Sequence, residues 1–293
     1  MVKLLSDFSN IITTNNTSLT AVVMAALLLQ PFSPVNAETS PVTTAQQSDK
    51  HTQNIATDAE IEHSSNYLKP LAAHNAEYNV YYGSIHLGKA RYQLPASDNG
   101  YYQYRFDSDV SLLMLSDVRN ISSEFQLVDG KLKPIRYMSK RSGTGSDYSE
   151  QTVFAEGQGV IHTIYKDERE KLTFENNILD PLMVQLQFRL DMYNPPEKLH
   201  YTMVKEKELD DYEFKIVGKE LMTLESGSYD TIKIEVVRTS KKRQTFFWMA
   251  PDLGYLPIRL SHFSKGSKQL DIQIDNYQFL EPIENETLVP FTK

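Results

Sequence analysis

The chain contains no cysteine. That absence removes disulfide staples, thiolate metal ligands and cysteine nucleophiles together, and it leaves no thiol for a lipid to be attached to. A secreted chain without disulfides must be held by its core alone, which requires a large one. Positive charge is also in deficit, with a formal net charge of −8 over 293 residues. Such a chain lacks the electrostatic footprint of a nucleic-acid binder, so no nucleic acid is expected as a partner.

Catalytic signatures are missing as well. No HExxH or HxH pattern joins His51, His63, His74, His86, His162, His200 and His262, so neither a metal nor a cofactor is expected. A nucleophile elbow at Ser146 would need glycine at 144 and 148, where Thr144 and Tyr148 stand. Asp210-Asp211 and the pair Asp271 and Asp275 have ordinary polar surroundings. A glycosidase pair needs one carboxyl apolar enough to keep its proton. No catalytic residue is assigned, and hydrolysis of glycan or cell wall ranks last among the functions considered.

What is present begins with a leader. The uncharged apolar run at residues 19–29 is too short to span a bilayer as a helix, and Val35-Asn36-Ala37 supplies small residues at 35 and 37. This predicts a secretory signal over 1–37, cleaved after Ala37, and a soluble periplasmic protein with no stable membrane anchor thereafter. Residues 38–70 are rich in Ser, Thr, Gln, Asp and His and read as a flexible polar tether. A folded domain is expected over 71–280, with a short tail at 281–293.

Within that domain, 17 tyrosines and 13 phenylalanines favour pleated, half-buried surfaces. Alternation of period two recurs at Tyr102, Tyr104 and Phe106, at Tyr212, Phe214 and Ile216, at Ile232, Ile234 and Val236, and at Leu270, Ile272 and Ile274. These read as antiparallel strands with one wet face. Asp129-Gly130, Gly157-Gln158-Gly159, Ser226-Gly227-Ser228 and Lys265-Gly266-Ser267 read as hairpin breaks. The alternation slips phase at Gly88, which predicts a β-bulge there. The basic triplet Lys241-Lys242-Arg243 reads as a solvated hairpin tip. His262 falls on the apolar face of its strand and is expected to be a satisfied buried histidine.

One segment reads as a helix. Asp180-Pro181 offers an N-cap and a proline at the first helical position, and no glycine or proline follows until Pro195. At about 100° per residue, Leu182, Met183, Leu186 and Leu190 form one apolar stripe, and Val184, Phe188 and Met192 form a second nearly opposite. A helix with two apolar stripes needs two apolar neighbours. Either it plugs the concave side of a curved sheet, or one stripe packs while the other lines a cavity for an apolar ligand.

The runs Arg141-Ser142-Gly143-Thr144-Gly145-Ser146-Asp147 and Phe247-Trp248-Met249-Ala250-Pro251-Asp252-Leu253-Gly254-Tyr255-Leu256-Pro257-Ile258-Arg259 carry a resemblance. Together with Glu77-Tyr78-Asn79-Val80-Tyr81-Tyr82-Gly83 and Gly88-Lys89-Ala90, they resemble the DUF3108 family of exported bacterial proteins. That family carries no assigned activity, so the resemblance implies fold and compartment and transfers no catalytic residues. At fold level only, a curled sheet around a helix is similar to periplasmic lipoprotein carriers and related envelope proteins.

The expected fold is therefore all-β with one core helix, roughly a dozen antiparallel strands curling into a barrel or half-barrel around it. The expected function is non-enzymatic: holding an apolar or amphipathic envelope molecule, such as a lipid, in the concave face. Val184, Phe188, Met192, Trp248, Tyr102 and Tyr104 are the candidate lining residues. The alternative is an assembly protein docking on an envelope partner through sheet edges or the loop 141–147, where Arg141, Gly143, Gly145 and Asp147 are the candidates.

Overall fold

The computed structural model describes residues 69–239 and 242–280. The signal segment 1–37, the polar segment up to residue 68, Lys241 of the basic triplet and the tail 281–293 lie outside the described residues. The first half of the domain is a meander of β1 (His74–Tyr82), β2 (Ile85–Leu94), β3 (Tyr101–Leu112), β4 (Leu115–Val128), β5 (Lys131–Gly143), β6 (Tyr148–Ala155), β7 (Val160–Tyr165) and β8 (Glu168–Thr173). After β9 (Ile178–Leu179) comes the helix α1 (Pro181–Asp191). The chain returns through β10 (Leu199–Lys205), β11 (Glu208–Leu224), β12 (Gly227–Val236), β13 (Arg243–Ala250), β14 (Leu256–Ser264) and β15 (Ser267–Phe279).

All fifteen strands belong to one sheet, ordered β8 to β1 and then β15 to β9, so β1 and β15 join the two halves at its centre. Pairing is antiparallel except between β9 and β10. The sheet does not close by strand pairing. Its two ends meet through side chains instead: Glu206 in the β10–β11 turn donates its N–H to Glu150 on β6 at 2.6 Å and accepts from Thr163 on β7 at 2.8 Å. Lys207 beside it pairs with Glu168 on β8.

Turn chemistry sets the register. Asp129-Gly130 and Lys265-Gly266 adopt left-handed φ between directly paired strand ends, as two-residue hairpins require. The bulge falls where the phase slip places it: Val80 pairs with Gly88 and Tyr81 with His86, leaving Leu87 extra. A Cβ on Gly88 would lie 2.1 Å from the Asp109 carbonyl oxygen, so the close approach of β3 demands glycine.

The helix forms where its cap predicts. Asp180 accepts from the N–H groups of Leu182 and Met183, each at 2.9 Å, and Pro181 opens the first turn. The inner sheet face around it carries Tyr78, Val80, Tyr92, Tyr104, Phe106, Phe125, Tyr137, Phe214, Phe247, Leu260 and Ile272, all buried.

Three sequence expectations need correction. The strands among the described residues number fifteen rather than about a dozen. Ile216 does not share the burial of Tyr212 and Phe214, because β11 shifts register between Ile216 and Gly218 as it leaves the core. Asp271 is not on a wet face: it is buried, while its neighbour Asp275 remains partly exposed.

Candidate functional site

Both apolar stripes of α1 are consumed by packing. Val184, Phe188 and Met192 are buried as completely as Leu182, Met183, Leu186 and Leu190. Phe188 meets Phe214 at 5.2 Å and Tyr201 at 6.2 Å between ring centroids. The flanks are tied too. Tyr104 donates to Gln185 at 2.9 Å, and Gln185 donates to Tyr92 at 3.0 Å. Arg189 donates to the Gly254 carbonyl at 3.0 Å, and its Nη1 lies 3.3 Å from His74 Nε2. Burial first, and then the Arg189 charge, push His74 down to about 3, so it stays neutral and can accept from the guanidinium.

Two crevices remain between α1 and the sheet, each of about 20 Å³. One is walled by Gln185, Phe188, Phe214, Phe247, Met249 and Pro257, and the other reaches Tyr78, Tyr92 and Phe106. Each has room for about one water molecule. Tyr104 belongs to this inner face, and Tyr102, half-buried, stacks on Phe125 at 5.0 Å.

Trp248 does not join them. Phe247 and Met249 point to the helix, so Trp248, between them, points to the opposite face of the sheet. There it is covered by the β11–β12 hairpin, which folds back over the sheet until Ser226 donates to the Ile274 carbonyl at 2.8 Å. Trp248 donates to Glu220, and the cations of Lys233 and Arg259 lie 5.0 and 5.4 Å from its ring centroid. Burial alone would raise Asp271, but bonds from Arg259, Ser261 and Lys268 outweigh it and hold the carboxyl below its usual range. The six residues expected to line one cavity are therefore split between two faces.

The loop 141–147 is a clasp built around a buried charge cluster. Asp117 and Arg119, two residues apart on β4, both face inward with no exposed side-chain area, and Arg119 donates Nε and Nη2, one edge of its guanidinium, to the two Asp117 oxygens. Arg141 on β5 donates Nε to Asp117 Oδ2 at 2.9 Å, the oxygen that also accepts from Arg119 Nη2. Its remaining nitrogens reach forward to the Ser146 and Thr144 carbonyls at 2.7 and 2.5 Å, curling the loop around the guanidinium. Gly143 is obligatory, since a Cβ there would sit 2.5 Å from the Ser116 carbonyl oxygen. Gly145 packs over Arg141, and Asp147 accepts from the Gly143 N–H at 3.2 Å. The four expected loop residues thus come together, around a partner the sequence did not single out: Asp117.

The clasp grips the neighbouring hairpin. Thr144 donates its N–H to the Ser116 carbonyl at 2.8 Å, and its hydroxyl accepts from Ser116 N–H at 2.9 Å. Leu112 pairs with Leu115, so the β3–β4 turn is Leu113-Met114 alone. Leu113 is 65% exposed at a left-handed φ of 55°, and Met114 is 95% exposed. Beside the clasp lies an open concavity of about 470 Å³, walled by Lys140, Arg141, Ser146, Asp147, Tyr148, Ser149, Lys166 and Asp167.

Two inward carboxyls are strongly shifted. Burial pushes Glu150 up to about 8 and Asp180 up to about 7, while hydrogen bonds from Glu206 N–H and from Ser123 respectively pull the other way. Each already has a structural task, Glu150 anchoring the β10–β11 turn and Asp180 capping α1. His262 is buried against Thr245 at 2.9 Å, and burial lowers it to about 4. Among the described residues, no group of three His, Asp or Glu could hold a metal, and no helix is long and apolar enough to cross a membrane.

Comparison with known proteins adds the following. A family described as DUF3108, protein of unknown function, matches residues 77–273, more than half of the chain. No curated protein matches it in sequence. Among solved structures, a β-barrel-like DUF1849 protein from Brucella abortus is similar at 11% identity and TM-score 0.49, over 72% of this chain and 99% of that one. The Pseudomonas aeruginosa MucA/MucB complex is similar at 10% identity and TM-score 0.31, over 78% of this chain and 60% of that one. A DUF1329 protein from Desulfovibrio piger follows at 10% identity and TM-score 0.20, over 76% and 94% of the two chains.

Proposed function

We propose a docking function for this chain, which belongs to the DUF3108 family of proteins of unknown function: a non-enzymatic protein of the cell envelope that engages another envelope component through the β3–β4 tip and the clasped loop beside it. The observation that carries this reading is the combination of rigidity and exposure. Asp117, Arg119 and Arg141 commit a buried ionic cluster to fixing the loop, and the loop in turn fixes a hairpin whose two turn residues are large, apolar and in water. Isolated exposed apolar residues need no explanation, but an apolar turn held at an unfavourable φ does. Photo-crosslinking in cells from position 114 should give one defined adduct, weakened when the clasp is opened by Arg141→Ala. A featureless smear from that position, unchanged by Arg141→Ala, would sink the docking reading.

A second reading keeps an apolar or amphipathic molecule in the concave face. It is favoured by the two crevices, which share Gln185, Phe247 and Pro257, one of them also lined by Phe188 of α1. At about 20 Å³ each they hold no acyl chain, so this reading requires α1 to move off the sheet. Native mass spectrometry of the purified protein separates the cases: a bound lipid mass supports carriage, and a bare chain after exposure to envelope lipids excludes it.

A further inference from the structure

The apolar tip and the concavity beside it share one corner of the molecule, and their chemistries differ. Leu113-Met114 is the outermost part of the run 112–115, four consecutive apolar residues of which the inner two are only half-buried. Such a run at an exposed turn is a fault unless it is used. Other two-residue turns of the same sheet, Asp129-Gly130, Lys166-Asp167 and Lys265-Gly266, are polar or glycine-bearing. Only the β3–β4 tip, among the described two-residue turns, places two large apolar side chains in solvent.

The wall next to it carries two free lysines. Lys140 and Lys166 are exposed and form no ion pair among the described residues, and Lys166 lies over the Tyr148 and Tyr165 rings at 5.4 and 4.9 Å. Ser146, Ser149 and Tyr148 add hydroxyls to the same wall. Asp147 and Asp167 also face it, so its charge is mixed, and the third cation of the wall, Arg141, is buried against Asp117.

Resting on the docking reading above, we propose that the component engaged is a phospholipid bilayer surface: Leu113 and Met114 enter the acyl region while Lys140 and Lys166 meet the lipid phosphates. A protein partner would bury an apolar tip in a matching pocket and would not need unpaired lysines around its rim. A bilayer needs both, because its apolar interior is reached only past a layer of phosphates. The clasp supplies the stiffness, since a tip anchored at Ser116 can be pushed into the interface without folding back.

The absence of cysteine makes the test direct, because Met114→Cys in the full chain creates a single labelling site. An environment-sensitive fluorophore there reads the tip alone, whatever the apolar leader does. With vesicles of phosphatidylethanolamine and phosphatidylglycerol, the emission should shift to the blue and become shielded from an aqueous quencher. The same label on Ser228, in the β11–β12 hairpin, should not respond. Leu113→Gly suits the left-handed turn, so the fold is kept, and it should weaken partitioning by roughly tenfold or more, the value of burying one large apolar side chain. Lys140→Glu with Lys166→Glu should raise the lipid concentration at half-response by roughly tenfold or more and reduce its salt dependence. An unshifted tip at saturating lipid overturns the bilayer assignment. If that label is silent while a crosslinker at 114 captures one protein in cells, the docking reading stands and the lipid inference falls; if both are silent, both fall.

Discussion

Replacing Asp117 by Asn removes one negative charge from a site that holds two guanidinium groups and no water-exposed side-chain area at Asp117 or Arg119. The shape hardly changes, so packing is kept and the electrostatic effect is isolated. With the carboxylate present, Arg119 and Arg141 share its two oxygens, and Arg119 Nη1 is already without a hydrogen-bond partner among the described residues. Without it, two desolvated cations face each other across β4 and β5. Breaking a buried pair by removing one partner costs about 3–5 kcal/mol, because the charge left behind is uncompensated. For a domain of this size, with a urea m-value of roughly 2–3 kcal/mol/M, the unfolding midpoint should fall by about 1–2 M. Arg141→Ala should behave differently. It leaves Asp117 and Arg119 paired and releases the Thr144 and Ser146 carbonyls to solvent, so the main effect should be faster proteolysis within 141–147. Urea titration followed by Trp248 fluorescence, with limited proteolysis of both variants, reads these outcomes. A midpoint for Asp117→Asn within 0.3 M of wild type, at unchanged m, would refute the claim that this carboxylate holds the clasp together.

Stability should fall as pH rises from about 4.5 to about 8, because Glu150 holds its proton in the folded state up to about 8 against an ordinary value of 4.5. The sign follows from linkage: the folded state binds more protons than the unfolded one across that window, so each step upward disfavours folding. Asp180, raised to about 7, adds to the slope in the same direction. Glu150→Gln keeps an acceptor for the Glu206 N–H and should flatten the dependence by up to a few kcal/mol between pH 5 and pH 8.5, read by urea unfolding at each pH. Gly143→Ala should destabilise the domain more than Gly145→Ala, since the new Cβ meets backbone at 2.5 Å in the first case and makes only an ordinary van der Waals contact with Arg141, at 3.5 Å, in the second. Tyr104→Phe strands the Gln185 carbonyl oxygen in the core and should cost about 1–3 kcal/mol with no change in secondary structure by circular dichroism.

Much of the architecture was legible because it rests on local rules. The capped helix, the glycine turns, the bulge at Gly88 and the inward sets on β3 and β15 follow from period-two burial and from backbone conformations that few residues tolerate. The rule that failed was the equation of polar with outward. Asp271 alternates with Leu270 and Ile272 as a solvated residue would, yet it is buried against Arg259, which Met222 of the β11–β12 hairpin, folding back from the far end of the sheet, meets at 3.6 Å. No window of sequence around Asp271 contains that information, because the cover lies more than forty residues away in the chain. The same layer explains Trp248, whose burial the hairpin sequence suggested but whose face it did not.

The clasp shows the more general reason why the site was only half readable. Along β4, Asp117 and Arg119 flank Val118 and carry no sign of burial themselves, yet they share the parity of Ile121, Ser123 and Phe125, which carries them into the core. Charged residues can occupy an inner face only when they satisfy one another, and the third member, Arg141, comes from the next strand and from the loop motif itself. The glycines at 143 and 145 signalled an unusual backbone, but not that the backbone wraps a guanidinium. Read together, the two halves make one device: a loop whose sequence looks flexible is held rigid by a charge cluster whose residues look exposed, and the part left in solvent is the apolar turn at Leu113 and Met114. Rigidity would be superfluous if that turn had no surface to meet, and this is the physical ground for proposing a contact there rather than beneath the helix.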